Sequence, residues 1–175
     1  MMTSARPRLL LLILSAACVS VGCIQAIERT YTSPNDISLT AIKTPLPDNA
    51  FNANLQFAYS PPTKLKPAQR HNVNVIVSNL SPHAWPSAGT ADGSYRINVG
   101  NHWLNETGEL LVVDDGRSPL PFDLIPKGRS EVMLTIAAPS KPGNYTLEID
   151  VVQEGVSWFA NKGSKTLRTK VTVEP

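Results

Sequence analysis

The stretch Tyr145-Thr-Leu-Glu-Ile-Asp-Val151 decides the fold. Tyr145, Leu147, Ile149 and Val151 alternate with Thr146, Glu148 and Asp150, and a period of two puts one side-chain row in a core and the other in water. On this pattern Glu148 and Asp150 face solvent. Cross-strand Arg168 or Lys170 is then expected to pair with them, contributing at most about 1 kcal/mol each. The same alternation recurs in Leu55, Phe57 and Tyr59; in Val73, Val75 and Val77; in Tyr95, Ile97 and Val99; in Val132, Leu134 and Ile136; and in Leu167, Val171 and Val173. Leu110-Leu-Val-Val113 reads as a further, apolar strand. Asp114-Asp-Gly116 after it reads as a tight hairpin turn with residues at positive φ, tied down by Arg117. No segment keeps a helical period. About seven short strands within roughly 120 residues predict an all-β, immunoglobulin-like antiparallel sandwich over residues 55–175. The order Pro142-Gly-Asn-Tyr145 further predicts a tyrosine corner at the start of the decisive strand.

Upstream of this domain the character of the chain changes twice. Residues 23–54 are rich in Thr, Ser, Pro, Asn and Asp and read as a flexible tether. Before them, Arg6 and Arg8 precede the apolar run Leu9-Leu-Leu-Leu-Ile-Leu-Ser-Ala-Ala17, the layout of a bacterial export signal over residues 1–22. Ser20-Val-Gly-Cys23 resembles the lipobox of bacterial lipoproteins, with Ser20 where that family favours Leu. The resemblance implies a lipid on Cys23, with Ser15-Ala-Ala-Cys18 as the alternative. The expected location is the periplasm or cell envelope, held at a membrane through the N-terminal lipid or the signal itself.

The whole chain carries 16 Lys+Arg against 14 Asp+Glu. Arg6 and Arg8 both lie in the signal, so the exported part has 14 bases facing 14 acids and no net basicity. A balanced, mixed-sign surface argues against nucleic acid as a partner. Both cysteines, Cys18 and Cys23, fall at the signal, leaving the domain without a thiol or a disulfide.

The run Val73-Asn-Val-Ile-Val-Ser-Asn-Leu-Ser81 followed by Trp85-Pro86 resembles the early strands of bacterial immunoglobulin-like modules. Farther on come Asn101-His-Trp-Leu104, Asp115-Gly-Arg117, Leu120-Pro121, Pro142-Gly-Asn-Tyr145 and Val151-Val-Gln-Glu-Gly-Val-Ser-Trp-Phe159, in that order. This set resembles an accessory β-sandwich module found with bacterial glycosyltransferases and methyltransferases of surface-polysaccharide pathways. The resemblance spans about Val73 to Val173. It implies a glycan-related setting and brings no catalytic residues to carry over.

Adjacent aromatics Trp158 and Phe159 cannot both point inward if the segment is extended. One is expected to plug the sandwich and the other to stay partly exposed. Trp103 falls in the inward row of its strand, and Trp85 is expected to cap one end of the core. Three histidines, His71, His83 and His102, lack metal-ligand spacing and have no cysteine to join them, so neither metal nor cofactor is expected. No nucleophile elbow, phosphate loop or dinucleotide fingerprint is present. Asp114 and Asp115 read as turn residues rather than as a catalytic or calcium pair.

The resulting expectation is a non-catalytic, envelope-anchored binding module for a glycan or a protein partner. A glycan would use Trp158, Phe159, Trp103, His102, Gln153 and Glu154, with Asn101 beside them. A protein would use a sheet edge or an apolar patch. The alternatives are a structural or assembly lipoprotein of the envelope, and a glycan-processing hydrolase built on Glu154 and a second carboxylate.

Overall fold

The structure, a computed structural model, describes residues 44–175. Cys18, Cys23, the export segment and most of the tether lie outside the described residues. Two sheets form the domain. The smaller has strand order β1 (Ala53–Phe57), β3 (Arg70–Asn79) and β7 (Arg129–Ala137). The larger runs β2 (Lys64–Leu65), β10 (Leu167–Val173), β8 (Gly143–Gln153), β4 (Ile97–Leu104) and β5 (Leu110–Val112). Two short strands complete it, β6 (Arg117–Pro119) on β4 and β9 (Ser157–Trp158) on β8. Every pairing is antiparallel except that of β2 with β10. The immunoglobulin-like sandwich is thus the fold of the described chain.

The core lies between the sheets. Val75, Val77, Leu134 and Ile136 of the smaller sheet meet Val99, Trp103, Leu147, Ile149 and Val151 of the larger, all fully buried. The tyrosine corner is present, with the Tyr145 hydroxyl donating to the Lys141 carbonyl at 2.8 Å. Trp85 closes one end; its indole N–H donates to the Ala50 carbonyl at 2.9 Å.

The structure departs from the sequence reading in four places. The packed chain begins before residue 55: Leu46, Ala50, Phe51 and Ala53 belong to the core, and a 3-10 turn spans Asp48–Ala50. Tyr59 lies beyond β1 and is exposed, while Tyr95, at φ 69°, precedes β4 rather than joining its inner row. Asp114-Asp-Gly116 is not a hairpin turn. Both β5 and β6 run antiparallel to β4, with Val112 opposite Trp103 and Arg117 opposite Gly100, so residues 113–116 interrupt one edge strand without reversing it.

That interruption has a packing cause. The Asp115 carboxylate accepts from Asn101 Nδ2 at 3.1 Å, Trp103 Nε1 at 3.3 Å and the Ala137 backbone N–H at 2.7 Å. One half-buried carboxylate thereby stitches β4 to the open edge of β7. A Cβ at position 116 would stand 2.3 Å from the Thr135 carbonyl oxygen, so glycine is required there for close approach and not for positive φ.

The last departure concerns exposure. The apolar run Leu110–Val113 does carry the expected strand, over Leu110–Val112, and all four of its side chains are exposed. Glu148 and Asp150, expected in water, are buried. Their row is covered because the chain folds back after β8: β9 pairs beside β8, and the Trp158 side chain and the residues after it pack on that side of the sheet.

Candidate functional site

The covered outer face of the larger sheet gathers the chemistry of the domain. Register places His102 of β4 opposite Glu148 of β8, and Gly100 opposite Asp150. Trp158, delivered by β9, reaches across β8 and rests on Gly100, where a Cβ would come within 2.8 Å of the indole Cη2. A glycine inside a strand marks such a close approach, and Gly100 was the signal available in the sequence. The His102 ring packs on Trp158 at 4.1 Å between centroids, tilted by 58°. The Arg117 guanidinium lies over the indole at 4.2 Å.

Arg117 is held there by two carboxylates. Its Nε and Nη2 donate to Asp114 at 2.7 and 3.0 Å, and its Nη1 donates to Glu154 at 2.9 Å. The hydrogen bond from Arg117 holds the Asp114 carboxyl below its usual range. Glu154 also accepts from Asn98 Nδ2.

Beside this stack is a hollow of about 320 Å³, with His102, Leu104, Glu148, Asp150 and Trp158 among its walls and the exposed Leu110 and Val113 at its rim. Glu148 Oε1 accepts from Thr166 Oγ1 at 2.7 Å and from Arg168 Nε at 2.8 Å. Asp150 accepts the backbone N–H of Val151 at 2.7 Å and of Ala160 at 3.1 Å, one on each oxygen. Burial pushes its carboxyl up to about 6; the two N–H donors oppose the rise and the nearby Glu148 charge adds to it. A second hollow of about 340 Å³ beside Glu106, Asn144 and Lys170 is less available, because Asn144 already donates to Glu106 and Lys170 to Thr146.

Of the residues singled out in the sequence, Trp158 and His102 come together here. Glu154 stands nearby as an anion for Arg117. The others do not join them. Phe159 is fully buried, edge-on to Trp85 at 5.0 Å and to Phe51 at 4.9 Å. Trp103 is equally buried and meets Tyr145 edge-on at 6.3 Å. Gln153 is a structural clamp: its Oε1 accepts the Leu46 N–H at 3.0 Å and its Nε2 donates to the Tyr95 carbonyl at 3.2 Å. Asn101, also buried, serves Asp115. Among the described residues no cluster of three His, Cys, Asp or Glu is placed to hold a metal ion.

Sequence reasoning passed over Glu148 and Asp150 as site residues because alternation assigned them to solvent. It passed over Leu110 and Val113 because it read their run only as a further strand.

No family model matches this chain, and a search of curated proteins finds no match. Solved structures with a similar course include the CARDB domain of PF1109 from Pyrococcus furiosus, at 17% identity over 70% of this chain and 86% of that one, with a TM-score of 0.41. A family 123 glycoside hydrolase from Clostridium perfringens is 10% identical over 70% of this chain and 27% of its own, with a TM-score of 0.40. The alkylpurine DNA glycosylase AlkC of Pseudomonas fluorescens is 11% identical over 71% of this chain and 30% of its own, at 0.41. Likeness at this level carries no argument about activity. The strand order and the buried inner rows define the chain as an immunoglobulin-like β-sandwich on their own.

Proposed function

We propose that the chain is a non-catalytic, exported module of the cell envelope that holds a protein partner along strand β5. The observation that carries this reading is the edge itself. Leu110, Leu111, Val112 and Val113 form an exposed apolar run on the terminal strand of the larger sheet, which pairs only with β4 among the described residues. Folded proteins blunt such edges with charges, proline or bulges, because an open apolar edge invites a further strand. The backbone of that edge offers hydrogen bonds, and alternate side chains offer selectivity. Envelope attachment through Cys23 is supported by the basic, apolar and small-residue order of residues 1–23.

The glycan reading is the weaker one because its stacking platform is not assembled. Trp103 and Phe159 are in the core, and one face of Trp158 is occupied by Arg117. The hydrolase reading meets a similar obstacle. Glu154 is engaged by Arg117 and Asn98, while Glu148 and Asp150 sit two residues apart on one strand and share a wall. A glycosidase needs its two carboxyl groups on either side of the scissile bond.

A photo-crosslinking residue placed at Leu111 in the full-length protein in cells tests the edge reading. The expected result is a discrete adduct with one envelope protein, absent when the crosslinker is at Gln56 on the other sheet and lost in Val112→Pro. Adducts of equal strength from both positions, or none from Leu111, overturn it. In the same cells Cys23→Ala is expected to move the protein from the membrane fraction to the soluble one; release by Cys18→Ala instead reassigns the anchor.

A further inference from the structure

We propose that the hollow beside β5 is a receptor for a primary ammonium group on an apolar stem, the side chain of a lysine in the partner strand docked on that edge. This rests on the edge reading for its partner, while its chemistry stands on the hollow alone. Leu110 and Val113 belong both to the exposed edge and to the rim of the hollow, so a chain laid along β5 passes over its mouth. Leu104, Leu110, Val113 and the Trp158 indole wall the space, which suits methylene groups.

Acceptors stand at the bottom. The described hydrogen bonds to Glu148 all fall on Oε1, which leaves Oε2 without a partner among the described residues. His102 is more than nine-tenths buried. Its Nδ1 contacts the Val113 carbonyl, and since a carbonyl only accepts, Nδ1 carries a proton; in the neutral ring Nε2 then keeps a lone pair. That nitrogen likewise has no hydrogen-bond partner among the described residues. Neither atom is among the sealed unpartnered atoms of the described residues, so both are open to a donor that a ligand brings.

The charge balance points the same way. Asp114 and Glu154 share the one Arg117, Glu148 is paired with Arg168, and Asp150 accepts only neutral backbone N–H groups. Within the lining of the hollow, Asp150 is thus left without a counter-ion of its own. An ammonium, with three donors and no acceptor, answers Glu148 Oε2, Asp150 and His102 Nε2 together. It would also offset the burial that pushes Asp150 up to about 6. An anionic group would instead meet the Glu148 and Asp150 carboxylates in this lining.

The test is an NMR titration of the purified full-length protein with Nα-acetyl-lysine methylamide. Its uncharged isostere Nα-acetyl-norleucine methylamide and glucosamine are titrated in parallel, following the His102 imidazole and Trp158 indole signals. The expected result is saturable movement of both signals by the lysine derivative at millimolar concentration, the range open to so small a ligand. Norleucine should bind at least tenfold more weakly. Glu148→Gln should weaken the lysine response tenfold or more. Asn161→Lys, a change in the exposed loop that places a tethered ammonium at the hollow, should abolish it with the fold unchanged. Equal responses to lysine and norleucine make the hollow merely apolar and overturn the proposal. A response to glucosamine without one to lysine overturns it in favour of an amino sugar, and so does no saturable response to any of the three. Each of those outcomes leaves the Leu111 crosslink standing or falling by itself, so the two readings fail separately.

Discussion

The two sheets of this domain carry the same period-two pattern and end in different states. In the smaller sheet β3 and β7 alternate between buried and open positions along their length, as a sheet with one wet face should. In the larger sheet all eight residues of β4 are buried, and so are the last nine of β8. The difference lies in the segment after β8. Trp158 and the residues following it fold over the outer row, with Asp150 holding the Ala160 N–H and Gly100 leaving room for the indole. A covered outer face is where polar residues become buried and unequally paired.

The adjacent pair Phe159 and Trp158 tests this contrast most sharply, one ring in the core and one on the outer face. Phe159→Ala removes a fully buried ring from contact with Phe51 and Trp85 and is expected to cost about 3–5 kcal/mol in a chemical-denaturation midpoint. Trp158→Ala should cost about 1–2 kcal/mol and leave the fold intact, since its ring is only half-buried. If the two losses are equal, the outer cover is as much a part of the core as the inner one.

Next in size is the pH dependence from Asp150. Its carboxyl lies at about 6 in the folded protein against a reference of 3.8. The folded state therefore binds more protons than the unfolded chain between those values. This contribution is fully present below pH 3.8 and is lost as pH rises through 6. A shift of that size corresponds to about 2–3 kcal/mol. The stability of the parent relative to Asp150→Asn should fall by about that amount between pH 4 and 7.5, with most of the change below pH 6.5. Parallel profiles would show that Asp150 is not the titrating group.

A smaller effect is expected at Gly100. Gly100→Ala sets a Cβ against Trp158 and should cost about 1–2 kcal/mol while shifting Trp158 fluorescence to the red. The smallest belongs to the wet face of β7. Met133 is exposed there, and Met133→Lys should change stability by less than about 0.5 kcal/mol. A loss comparable to that at Gly100 would mean that the smaller sheet is covered as well.

Much of the inner half of the molecule was legible from residues alone. The Val73–Val77, Val132–Ile136 and Tyr145–Val151 rows point where alternation sends them, and Tyr145 makes its corner. The division of Trp158 and Phe159 was expected of an extended segment, and it holds although Phe159 lies just past β9 with a helical backbone conformation. Asp114-Asp-Gly116 was misread because Asp-Gly is a strong local turn signal. Here it was overridden by nonlocal demands, the Ala137 N–H on Asp115 and the Thr135 carbonyl against Gly116.

The sequence by itself determined which residues share a row, because side-chain direction along a strand is a local property of the backbone. It therefore settled the sandwich and its inner face. Only the tertiary structure decided what lies over each row. Leu110–Val113 is apolar yet open because β5 falls at an edge, and Glu148 and Asp150 are charged yet buried because the Trp158 side chain and the residues after β9 pack against them. Burial depends on which distant segment packs against a surface, and the period of a strand does not encode that.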